Sequence, residues 1–172
     1  MPETTVTADR EAELLASVPD GLFIGGEWRP AASGNYLRVF DPSTGRVVKK
    51  IADAGPEDGK AAMDAAAEAF PAWAATPARE RAELLRRAFD LLQERKEEFA
   101  LLMTLEMGKP LAQSRGEVAY GAEFFRWFSE EAARINGRVT TAPAGTGQIV
   151  VTKQPVGICL AITPWNFPLA MG

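Results

Sequence analysis

Apolar and polar positions divide the chain into a short mixed beginning, a long helical middle and a β-rich ending. Residues 9–18 (DREAELLASV) place acids ahead of an apolar spacing, with Asp9 where a helix cap belongs. Short strand signals at Leu22–Ile24 and Glu27–Arg29 flank Gly25 and Gly26, the pattern of a tight hairpin. Tyr36–Phe40 alternates as a strand does, the DPSTG run at residues 41–45 is a turn, and residues 47–51 pair back. The first fifty residues are thus predicted to form one helix and two small hairpins.

The spacing then becomes helical. Pro56 opens a helix to about residue 73, with Ala62, Ala65, Ala66, Ala69, Phe70 and Trp73 in register. Pro77 opens a second, in which Leu84, Leu85, Ala88, Phe89, Leu91 and Leu92 oppose Arg86, Arg87, Asp90 and Glu94. Residues 97–107 form a third helix that stops at Gly108, and Pro110 opens a fourth running to about residue 134. Their apolar faces read as helix packing and their charges as solvated surface.

Strand signals return at Arg138–Thr141 and at residues 148–154, around a Pro/Gly loop at 142–147. The apolar run at residues 158–162 has the composition of a strand buried on both faces of a helix-covered parallel sheet. A parallel neighbour needs a crossover of a dozen or more residues, and ten follow Ile162. The fold class expected is α/β: either this strand joins the earlier hairpins or, as favoured, the chain is the front part of a longer protein.

The 172 residues suffice for one core, and 47% apolar with 24% charged residues is a globular balance. A net charge of −4 offers no footprint for nucleic acid or an anionic membrane. One Cys and no His exclude disulfide scaffolds, Cys/His zinc sites and every triad built on imidazole; no metal site is expected. No stretch approaches the ~20 apolar residues of a membrane span. The first ten residues lack the basic and apolar segments of a leader, so a cytoplasmic location is expected.

The chemistry concentrates in TPWNFP at residues 163–168, an amide between two aromatics and two prolines at the carboxyl end of the expected buried strand. In open α/β sheets ligands bind at that end. The prolines restrict the backbone, so the Asn166 amide is a candidate donor to a developing oxyanion. The competing reading is that Asn166 caps a following helix and Trp165 packs in the core.

The run GICLAITPWNFPLAM at residues 157–171 closely resembles the start of the cofactor-binding region of the NAD(P)-dependent aldehyde dehydrogenase superfamily. LEMGKP at 105–110 is similar to the helix–turn–helix signature of that family, YGAEFFRW at 120–127 to its following helix, and FIGGEW at 23–28 and DPSTG at 41–45 also fit. The resemblance extends from about residue 20 to 171, and the wording is most similar to succinate-semialdehyde dehydrogenases. It implies residues 1–137 as amino-terminal hairpins and helices, 138–156 as a hairpin that bridges subunits of a homo-oligomer, and 157–172 as the first strand and turn of a Rossmann-like sheet.

The resemblance also implies a mechanism. A Cys thiolate attacks the aldehyde, an Asn amide and a backbone N–H hold the oxyanion, hydride passes to NAD or NADP, and a Glu-activated water releases the acid. Asn166 matches the oxyanion Asn, and Ile162, Thr163, Pro164 and Trp165 match the segment lining the cofactor. In that pattern the nucleophile, the general base, the ribose-binding Lys, the Gly-rich turn and the Arg for a substrate carboxylate all lie beyond Met171. Cys159 falls inside the expected buried strand and reads as inert core. The chain alone is expected to be inactive. The alternative is a non-catalytic short form that pairs with a full-length relative through residues 138–154. Ile158, Leu160, Ile162, Val150 and Val151 favour the first reading, since a self-sufficient domain would blunt such edges.

Overall fold

The computed structural model describes residues 6–172, so the reading of residues 1–5 as part of a leaderless start lies outside the described residues. Helix α1, Ala8–Ser17, is capped by Thr7, whose hydroxyl accepts from the Arg10 N–H at 3.3 Å. Asp9 is not the cap expected from the sequence: it lies in the first turn, where its charge faces the positive end of the helix dipole.

Three antiparallel hairpins form, and among the described residues none joins another. In the first, β1 (Leu22–Ile24) and β2 (Glu27–Arg29) pair Phe23 with Trp28. Gly25 and Gly26 both take positive φ, 65° and 87°, as a two-residue turn of this twist requires. β3 (Tyr36–Phe40) pairs with β4 (Val47–Ala52) through an irregularity between Val39 and Phe40. β5 (Arg138–Thr141) pairs with β6 (Gln148–Val151), which ends three residues before the expected 154.

The helices are α2 (Pro56–Ala75), α3 (Ala78–Glu94), α4 (Lys96–Met107) and α5 (Leu111–Glu131), followed by a 3-10 turn at Ala132–Arg134. Pro77 and Pro110 stand just ahead of α3 and α5, where a residue without an N–H costs no intrahelical bond. α5 packs against both α3 and α4. Ala100, Met103 and Val118 form the buried centre, with Phe99, Leu111 and Leu169 against it. The Thr104 and Ser114 hydroxyls satisfy each other at 2.9 Å across α4 and α5. Arg115 grips the Glu97 carboxylate with its Nε and Nη2 at 2.8–3.0 Å, joining the same two helices.

Two expectations from the sequence are corrected. On α3, Ala82 and Leu92 are buried but Leu84 and Leu91 are exposed, so the apolar stripe is wider than the surface that covers it. Residues 157–163 form no strand, and Ile162 is 90% exposed, because no neighbouring strand among the described residues offers a ladder. Cys159 is accordingly exposed rather than inert core. Its thiol lies 3.9 Å from the Gly157 carbonyl oxygen as donor.

The 172-residue chain in isolation is expected to bind a hydrophobic dye and to self-associate through Val150, Leu160 and Ile162. Analytical ultracentrifugation with a thermal melt checks this; a monodisperse monomer with a sharp cooperative transition would contradict it.

Candidate functional site

The site is assembled from three turns. The first is the DPSTG turn between β3 and β4. Asp41 is buried, and its Oδ1 accepts from the Ser43 N–H at 2.8 Å and the Ser43 hydroxyl at 2.7 Å. Oδ2 accepts from the Thr44 hydroxyl at 2.6 Å. The Thr44 and Ser43 donors hold the Asp41 carboxyl down at about 2. Gly45 closes the turn at φ 71°, its N–H donating to the Asp41 carbonyl at 2.8 Å.

That turn presents Pro42 to the second, the link between α4 and α5. α4 ends because Gly108 takes φ 79°, its N–H donating to the Thr104 carbonyl at 3.0 Å. The Pro42 ring lies directly against it, since a Cβ at position 108 would stand 2.7 Å from Pro42 Cγ. Gly108 is thus required for its backbone conformation and for the contact.

Lys109 comes next and controls the third turn, residues 164–171. Its Nζ is ion-paired with Glu117 in the second turn of α5, their side chains 10% and 2% exposed. The same Nζ donates to the Asn166 carbonyl at 2.9 Å and sits 4.8 Å from the centre of the Phe167 ring. Glu117 Oε1 accepts from the N–H groups of Leu169 at 3.0 Å and Ala170 at 3.3 Å. Burial pushes the Glu117 carboxyl up, but Lys109 and the two amides outweigh it and hold it below the usual range. On the next turn of the helix Gly121 lets the strand of chain approach: a Cβ there would be 3.2 Å from Ala170 Cα.

These contacts place the residues singled out in the sequence. Asn166 is fixed through its carbonyl, while its side-chain amide is exposed and has no hydrogen bond among the described residues. It caps no helix, because residues 165–171 are turns, and Trp165 is 79% exposed rather than in the core. Ile162, Thr163 and Pro164 are exposed beside it along the chain. Trp165 and Pro168 share an open cleft with Phe40, Pro42 and Met107, so the DPSTG, EMGKP and PWNFP segments meet.

Sequence reasoning gave no role to Lys109, Glu117 or Gly121, although Lys109 and Gly121 lie within the LEMGKP and YGAEFFRW segments. The available signal was Glu117 itself, a carboxylate between Ser114, Val118 and Gly121 on the buried face of α5, which demands a partner.

The sequence profile of the aldehyde dehydrogenase family matches residues 28–172. A succinate-semialdehyde dehydrogenase of Paenarthrobacter nicotinovorans is 64% identical over 121 residues, covering 70% of this chain and 27% of the relative. A glutarate-semialdehyde dehydrogenase of Pseudomonas putida is 46% identical, covering 87% of this chain and 31% of its own length. Among solved structures, an E. coli NADP-dependent enzyme superposes with a TM-score of 0.85 at 44% identity, over 88% of this chain and 32% of that one. The chain thus spans about a third or less of the proteins it matches.

In the complete protein, replacing Gly45 by Ala is expected to lose about 1 kcal/mol, the cost of a Cβ in the left-handed region. Gly108→Ala should lose roughly a further 1–3 kcal/mol, because Pro42 must also move. Equal losses in denaturant unfolding would show that the Pro42 contact is not close. The Asp41 carboxyl, ordinarily near 3.8, is depressed to about 2. Its stabilisation is therefore complete above the ordinary value and lost as pH falls through about 2. Melting temperatures of the complete protein and its Asp41→Asn variant should converge as pH falls through that window, and a constant gap would contradict the shift.

Proposed function

The chain belongs to the aldehyde dehydrogenase family, and on that premise we propose that it forms the amino-terminal part of an NAD- or NADP-dependent enzyme oxidising an aldehyde to the acid. The substrate proposed is succinate semialdehyde. The observation that carries this reading is the exposed Asn166 amide on a backbone tied down by Lys109. A main chain fixed in advance places the amide so that it donates to a developing oxyanion with less reorganisation.

This chain's part is to hold that donor. Lys109 fixes the Asn166 carbonyl, Glu117 fixes the backbone three and four residues on, and the side-chain amide stays free to donate. The residues before it suit a dinucleotide. Ile162 and Trp165 offer exposed apolar faces, Pro164 stiffens the backbone, and Thr163 adds a hydroxyl. When bound there, a nicotinamide cofactor would supply the hydride acceptor. Succinate semialdehyde is favoured because relatives at 64% and 46% identity act, by name, on succinate and glutarate semialdehydes, aldehydes with a distal carboxylate.

Residues 1–137 are proposed as the scaffold, 157–172 as the beginning of the cofactor sheet, and 138–156 as a hairpin joining subunits of a homo-oligomer. Val139 and Val150, 65% and 63% exposed, support the last assignment. The 172-residue chain by itself is proposed to be inactive. Among the described residues the Cys159 thiol meets the Gly157 carbonyl and no base, and the family pattern places nucleophile and base elsewhere.

In the complete enzyme, Asn166→Ala is expected to lower kcat on the order of 10²–10³-fold. Steady-state kinetics with succinate semialdehyde checks this, and an unchanged kcat removes the oxyanion assignment. The purified 172-residue chain should give no NAD(P)H, and stoichiometric aldehyde oxidation by it would overturn the division of labour.

A further inference from the structure

We infer that the buried Lys109–Glu117 pair is a positioning device for Asn166, orienting its amide by clamping the main chain on its carboxyl side. The inference rests on the oxyanion reading of Asn166 and adds residues that act through it.

The argument is one of constraint. One ion pair takes hold at three backbone atoms within five residues: the Asn166 carbonyl, the Leu169 N–H and the Ala170 N–H. Phe167, between them, lies against the Lys109 ammonium. The Lys109 charge is spent on Glu117 and a carbonyl, so its effect on the amide is transmitted through the Asn166 main chain. Both ends of the clamp stand on rigid elements. Glu117 is within α5, and Lys109 follows a glycine locked against Pro42.

A buried ion pair is weak as a source of stability, because desolvation offsets attraction and apolar residues of similar volume often serve as well. This makes a clean test possible. In the complete enzyme, the double variant Lys109→Met/Glu117→Leu keeps the site filled without leaving a lone charge. It takes the acceptor from the Leu169 and Ala170 N–H groups, so it is expected to lower the unfolding temperature modestly while keeping the wild-type KM, to lower kcat roughly 10- to 100-fold, the penalty of a displaced catalytic group, and to speed amide exchange across residues 163–172. Lys109→Arg, which retains a donor for Glu117 and the Asn166 carbonyl, should recover much of kcat.

A wild-type kcat in the double variant, with Asn166→Ala impaired, would overturn the positioning role and leave the oxyanion reading standing. Loss of kcat in step with lost thermal stability, without recovery in Lys109→Arg, would make the pair structural only and also overturn it. A wild-type kcat in Asn166→Ala would instead defeat the oxyanion reading, and the positioning role with it.

Discussion

Two opposite charges taken out of water between the start of α5 and the PWNFP turn determine where the last residues of the chain lie. Lys109 and Glu117 satisfy each other, but neither is satisfied by the other alone. The ammonium has a donor left for the Asn166 carbonyl, and the carboxylate has acceptor capacity left for two amides. Each charge therefore reaches for the same segment from its own side. Within the turn, the Phe167 N–H donates to the Pro164 carbonyl and the Met171 N–H to the Phe167 carbonyl, each at 3.3 Å.

The pair in turn depends on glycine and proline chemistry far away in sequence. Lys109 points correctly because α4 ends at Gly108, and Gly108 is seated by Pro42. Pro42 is held by a turn whose Asp41 carboxylate collects two hydroxyls and an N–H. Gly121 completes the arrangement by leaving room for Ala170. A continuous run of close contacts thus leads from the β3–β4 turn to the amide proposed to stabilise the oxyanion. Short motifs that read as separate signatures in the sequence are parts of one support.

Local features were legible from the sequence wherever the physics is local. Gly25-Gly26, Pro56 and Gly108 each fix a turn or a helix end within a few residues, and the hairpins and helices lie where those residues put them. The end of β6 and the cap of α1 were misplaced by a few residues, as expected of boundaries set by competing hydrogen bonds. The run at 158–162 misled for a different reason. Apolar composition reports that a segment requires cover, not that cover is at hand, and no strand stands beside it among the described residues. Asn166 was legible as a candidate because its neighbours are distinctive. Its support was not, since Lys109 lies 57 residues away and no periodicity links the two.

The most direct test is a crystal structure of the complete enzyme with an aldehyde trapped as a covalent adduct. The account predicts the Asn166 side-chain amide at about 2.7–3.1 Å from the adduct oxygen, with Lys109 still holding the Asn166 carbonyl and Glu117 the two amides beyond it. An amide turned away from the adduct, or a Lys109 detached from the turn while the amide is in place, would contradict it.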